Sequence, residues 1–179
     1  MKNRFPIRQL VMCALFAALT AVCAQIQIPM WPVPVTLQVL PILLCAALMG
    51  PRYATLMTVV YLLMGLVGLP VFSGMGAGPG KLFGTTGGYL IGFIACAFVA
   101  ALLMDRLGRK WWQQVIAMVV GVLVCYVFGT AWFMLLSGNG LWQSLMWCVI
   151  PFLLGDAVKI ILAALLSLRL YEPMKRALK

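Results

Sequence analysis

Long apolar runs at residues 8–28, 35–49, 53–69, 87–104, 111–136 and 148–171 make up most of the chain, and glycine, proline and charge collect between them. A membrane-crossing helix needs about 20 predominantly apolar residues. Hydrocarbon offers no partner for a bare backbone, so a spanning segment must satisfy its own hydrogen bonds. The pattern predicts an all-α integral membrane protein of six transmembrane helices, forming a single domain over residues 1–179.

The breaks are as informative as the runs. Pro29, Pro32 and Pro34 end the first helix, because proline removes a donor and restricts the residue before it. A loop is expected there, with Trp31 suited to the membrane interface. The second run is short and carries Gln38 and Pro41, which predicts either little tilt or an irregular start with its polar groups facing the protein interior. Gly50-Pro51-Arg52 reads as a tight turn into the third run. The stretch from Pro70 to Thr86 holds five glycines, Gly74, Gly76, Gly78, Gly80 and Gly84. A phosphate-binding loop would need glycine where Met75 stands and Ser or Thr where Leu82 follows Lys81, so this is read as a backbone that turns sharply and closely approaches either a ligand or another helix.

Composition confirms the solvent: 65% of residues are hydrophobic and 9% charged, leaving no room for a soluble domain of useful size. The formal charge of +10 is not gathered into one patch, which argues against nucleic acid. Instead Lys2, Arg4, Arg8, Arg52, Arg106, Arg109, Lys110, Lys175, Arg176 and Lys179 fall at one side of a six-span arrangement, and Lys81 alone at the other. Cytoplasmic loops carry the excess of lysine and arginine. Both termini are therefore expected in the cytoplasm of a cell-membrane protein, with 29–34, 70–86 and 137–150 facing outward. The first run exceeds the 7 to 15 residues of a signal-peptide core, so it is read as a span.

Chemistry is sparse. Histidine is absent, and the six cysteines stand singly in apolar segments without a CxxC pair. No metal or resident cofactor is expected, and no nucleophile stands beside a base. The exception is Asp156 and Lys159, deep in the last run and three residues apart, hence on one face of a helix. An ionised residue inside a membrane is expensive and marks function by default. The pair either locks helices together or grips a polar solute, with Tyr89, Trp132, Phe72 and Gly88 as candidate apolar walls. Gly84, Gly88 and Gly92 form a face without bulk, open to a neighbouring backbone or a flat ligand. On the first helix Ala14, Ala17, Ala18 and Ala21 form two overlapping small-xxx-small pairs, fit for packing within the bundle or for a partner.

Four ordered motifs carry a resemblance that covers nearly the whole chain. Val33-Pro34-Val35-Thr36-Leu37-Gln38, Gly68-Leu69-Pro70-Val71-Phe72-Ser73-Gly74, Gly84-Thr85-Thr86-Gly87-Gly88-Tyr89-Leu90-Ile91-Gly92-Phe93 and Pro151-Phe152-Leu153-Leu154-Gly155-Asp156-Ala157-Val158-Lys159 resemble the BioY family. These are biotin-binding S components of energy-coupling factor transporters. The resemblance implies a six-helix S-component fold with biotin bound near the outer face. It places Asp156 and Lys159 on the polar ligand motif, with Thr36, Gln38, Thr86 and Gly87 among the matched binding segments. It also places the first-helix alanines on the AxxxA surface that meets the transmembrane coupling component. The chain has no Walker motif, so by resemblance separate ABC-type ATPase subunits supply the energy. The residues by themselves leave open an ATPase-independent carrier or channel and an S component for another vitamin.

Overall fold

The computed structural model describes residues 7–177; Lys2, Arg4 and Lys179 of the expected basic side lie outside them. In chain order the elements are α1 (Ile7–Gln25), β1 (Gln27–Ile28), β2 (Val35–Thr36), α2 (Val39–Leu66), a 3-10 turn (Ser73–Met75), α3 (Gly78–Leu82), α4 (Gly87–Leu107), α5 (Trp111–Ser137), α6 (Leu141–Cys148) and α7 (Ile150–Ala177). Five of these, α1, α2, α4, α5 and α7, are long and apolar enough to cross a membrane.

Helix α2 is two helical arms. Gly50 breaks it with φ 76° and ψ 177°, a conformation that glycine adopts without a Cβ clash, and Pro51 then opens the second arm. A straight helix would hold Gln38 and Tyr61 roughly 35 Å apart at about 1.5 Å per residue. Their side chains meet instead, with Gln38 Nε2 donating to Tyr61 Oη at 2.5 Å. The arms therefore fold back on one another. The first, residues 39–49, is only about 16 Å long, and the level above its start is taken by the β1–β2 ribbon and a cavity.

That ribbon pairs Gln27 with Thr36 and Ile28 with Val35, antiparallel. It closes what the prolines alone predict as an open loop. A second departure lies at 137–150, expected as a connection, where α6 forms. Ser144 and Cys148 are buried four residues apart while Leu141 and Trp142 are exposed, so this short helix is amphipathic.

Close approach of α4 and α5 organises the core. A Cβ on Gly121 would lie 2.8 Å from the Cβ of Ala100, and one on Gly92 would lie 3.2 Å from the Cys125 carbonyl. The glycine face of α4 thus receives a neighbouring helix.

The chain ends and turns sort into two poles. At one, Arg8 donates to the Ala177 carbonyl at 3.4 Å, and Arg109 donates to the Ala47 carbonyl at 2.9 Å while lying 3.8 Å over the Tyr171 ring. The ribbon, the 3-10 turn, α3 and α6 form the other.

Candidate ligand-binding site

Helix α7 begins at Ile150-Pro151, where proline in the first turn gives up a donor the helix does not need. Asp156 lies about 9 Å along it, one face turn before Lys159. Lys159 Nζ donates to Asp156 Oδ1 at 2.7 Å, and both residues are 4% exposed. The other carboxylate oxygen is also engaged: Tyr126, reaching across from α5, donates its hydroxyl to Asp156 Oδ2 at 2.5 Å. Lys159 leans back toward the start of α7, with Nζ 3.9 Å from the point where a Cβ on Gly155 would sit. A buried carboxylate has about four lone-pair positions and an ammonium three N–H donors. With one bond to each oxygen and one from the ammonium, acceptors and donors remain for a guest.

The guest's space is an open-mouthed cavity with the pair at its wall. Tyr89, Phe93 and Phe152 supply aromatic surface, and Val122, Cys96 and Cys125 close the interior. Tyr89 stacks on Phe152 with centroids 6.2 Å apart, and its hydroxyl donates to the Cys148 carbonyl at 3.1 Å, so the ring is held from both ends.

Thr36, Gln38, Ser73 and Thr86 bring polar atoms to the same cavity. Thr36 Oγ1 donates to Gln38 Oε1 at 2.8 Å, and Tyr61, itself bound by Gln38, donates to the Val71 carbonyl at 2.9 Å. This chain of bonds ties the ribbon, both arms of α2 and the segment after α2 into one frame around the opening.

Six of the expected residues, Asp156, Lys159, Tyr89, Thr86, Thr36 and Gln38, line the cavity. Phe72, Gly87, Gly88 and Trp132 do not. Phe72 is fully buried, edge-on to Tyr61 at 5.7 Å, and occupies the space over Gly65, where a Cβ would lie 2.0 Å from its ring. A Cβ on Gly88 would fall 2.1 Å from the Cβ of Trp132, and one on Gly87 would fall 1.8 Å from the Leu82 carbonyl. Trp132 Nε1 donates to the Gly84 carbonyl at 3.1 Å. These four shape the wall from behind, because the absent side chains of the glycines admit the tryptophan and the backbone.

Residues 1–176 match the family model described as the BioY family. The chain belongs to the BioY family. It is similar to the biotin transporter BioY of Thermotoga maritima, with 39% identity over 165 residues covering 92% of this chain and 96% of that protein. It is similar also to the probable biotin transporter BioY of Pyrococcus horikoshii, with 34% identity over 163 residues, 91% of this chain and 96% of that one. In three dimensions it resembles the crystal structure of the S-component for biotin from an ECF-type ABC transporter. The TM-score is 0.89, with 27% identity and 100% of both chains covered.

Within this BioY-family chain Tyr126, Ser73, Phe93 and Phe152 are cavity residues that sequence reasoning passed over. Tyr126 carries the one signal that was available: a phenol in the middle of an apolar run must find a polar partner. The alanines of α1 divide. Ala17 is buried in the core and Ala21 partly buried, whereas Ala14 and Ala18 face outward.

Proposed function

We propose that this chain is a biotin-binding S component, a membrane subunit that captures biotin for uptake while other subunits supply the energy. The observation that carries the reading is the Asp156–Lys159 pair, braced by Tyr126, at the wall of an apolar cavity. Biotin presents two ureido N–H donors, a carbonyl acceptor, an apolar thioether ring and a carboxylate tail. The free lone pairs of Asp156 accept from the ureido nitrogens, the spare N–H groups of Lys159 donate to ligand oxygen, and Tyr89, Phe93 and Phe152 cover the ring. Binding requires no covalent step and no cofactor.

For topology, we take α1, the two arms of α2, α4, α5 and α7 as six crossings. The pole bearing Arg8, Arg52, Arg109, Lys110 and Lys175 then lies in the cytoplasm, with both termini, and the cavity opens outward. Without a Walker motif the chain relies on an ECF transmembrane coupling component and ABC-type ATPases. The outward Ala14 and Ala18 of α1, with Ala17 and Ala21 behind them, offer the close-packing surface for that component.

Titration calorimetry of the detergent-purified protein with biotin, beside an Asp156→Asn variant, tests the reading. Stoichiometric binding that weakens sharply in the variant supports it. Absence of binding by folded protein overturns it, competition by a different vitamin reassigns the substrate, and uptake by the purified chain alone in vesicles favours an independent carrier.

A further inference from the structure

The segment that follows α2 is anchored by the buried Val71 and Phe72 and reaches the cavity through the turn beyond them. Residues 72–76 form a closed turn, with Phe72 N donating to the Gly76 carbonyl at 3.0 Å and Gly76 N returning to the Phe72 carbonyl at 3.2 Å. Inside it Gly74 and Met75 both take left-handed backbone, φ 67° and 56°. Met75 is the one non-glycine residue with positive φ among the described residues. That conformation crowds a Cβ and persists only where surroundings impose it.

What imposes it comes from the last residue of α1. Gln25 Oε1 accepts from the Met75 N–H at 2.9 Å, and Gln25 Nε2 donates to the Phe72 carbonyl at 3.1 Å as well as to Ala21 O at 3.2 Å. One amide thus holds both sides of the turn. The neighbouring Gln27 lies beneath the same turn: its Nε2 is 3.3 Å from where a Cβ on Gly74 would sit, and its buried Oε1 has no hydrogen-bond partner. A buried acceptor left unpaired is unfavourable. Ser73, within the turn, lines the cavity.

We propose that Gln25 is a positioning residue for ligand retention, pinning residues 73–76, beyond the buried Phe72, across the cavity so that Ser73 closes it. This inference rests on the binding function proposed above, and its test separates the two.

Gln25→Ala is compared with the unaltered full-length protein in detergent by two measurements. The first is hydrogen exchange of the amides at 72–76 without ligand. The variant is expected to exchange about tenfold faster there, the equivalent of one to two ordinary hydrogen bonds, with α4 and α5 unchanged. The second is biotin association and dissociation rates: dissociation rises about tenfold while association stays within twofold and the apo melting temperature is unaltered. Unchanged exchange overturns the clamp, and so does exchange that rises throughout the bundle, the mark of a merely structural residue. Faster local exchange with unaltered dissociation overturns the role in retention. Should the unaltered protein bind no biotin, the function proposed above fails by itself and the exchange arm still judges the clamp.

Discussion

Tyr126 and Asp156, thirty positions apart on α5 and α7, meet with 2.5 Å between the phenol oxygen and Oδ2. The bond occupies one carboxylate oxygen while Lys159 occupies the other, so the carboxylate plane is set before any ligand arrives. Tyr126→Phe removes a hydrogen bond to a charged group, worth about 1.5–3 kcal/mol. Biotin affinity measured by calorimetry is expected to fall at least tenfold in a protein that still folds. Unchanged affinity would show that Asp156 needs no help to face its ligand.

The ion pair itself is predicted to separate stability from binding. Lys159→Met strands a carboxylate and Asp156→Asn strands an ammonium, each in a site where an unpaired buried charge costs about 3–5 kcal/mol. Thermal unfolding in detergent should show both single variants destabilised. The double variant should recover most of the loss and still bind no biotin. If the double variant binds as well as the unaltered protein, the pair is only a structural lock.

Gly88 and Gly80 make a matched comparison. A Cβ on Gly88 meets the Cβ of Trp132 at 2.1 Å, whereas one on Gly80 has nothing within 4 Å. Gly88→Val forces α4 and α5 apart, and overpacking of this kind costs about 1–3 kcal/mol or more. Gly80→Ala is expected to change the melting temperature by no more than a degree or two upward, since alanine in a helix is favoured by about 0.5–1 kcal/mol. Equal tolerance of both would refute the close packing of these helices.

Removal of the Tyr61 hydroxyl should loosen the frame around the opening. Tyr61→Phe leaves the buried amide of Gln38 and the Val71 carbonyl without their partner, at about 1–3 kcal/mol for each group left unsatisfied. Unfolding should begin earlier, and limited proteolysis should reach the segment after α2 first. Cleavage confined to other loops would contradict this.

The long helices were readable because hydrocarbon makes the requirement local: every spanning backbone must bond within itself, so an apolar run of the right length declares its structure. Asp156 and Lys159 were readable for the same reason, since three residues on a helix share a face whatever surrounds them. The break at Gly50 was visible in Gly50-Pro51-Arg52, but its consequence was not. That Gln38 returns to Tyr61 follows only from how the two arms pack. The ribbon between Gln27–Ile28 and Val35–Thr36 was hidden behind three prolines that signal only where helix must stop.

Four residues show where reading along the chain ran out. Phe72, Gly87 and Gly88 stand in the matched motifs and Trp132 on α5, yet they build the cavity's wall from the rear, because contact depends on how the helices meet. Tyr126 is the converse, a cavity-lining residue whose partner is thirty positions away. The sequence by itself determined the solvent, the helices, the basic pole and the charged pair, all set by local composition and helical period. Tertiary structure alone decided which side chains surround the cavity, because that depends on the rotation and close approach of helices far apart in the chain, where each glycine's missing Cβ sets the distance.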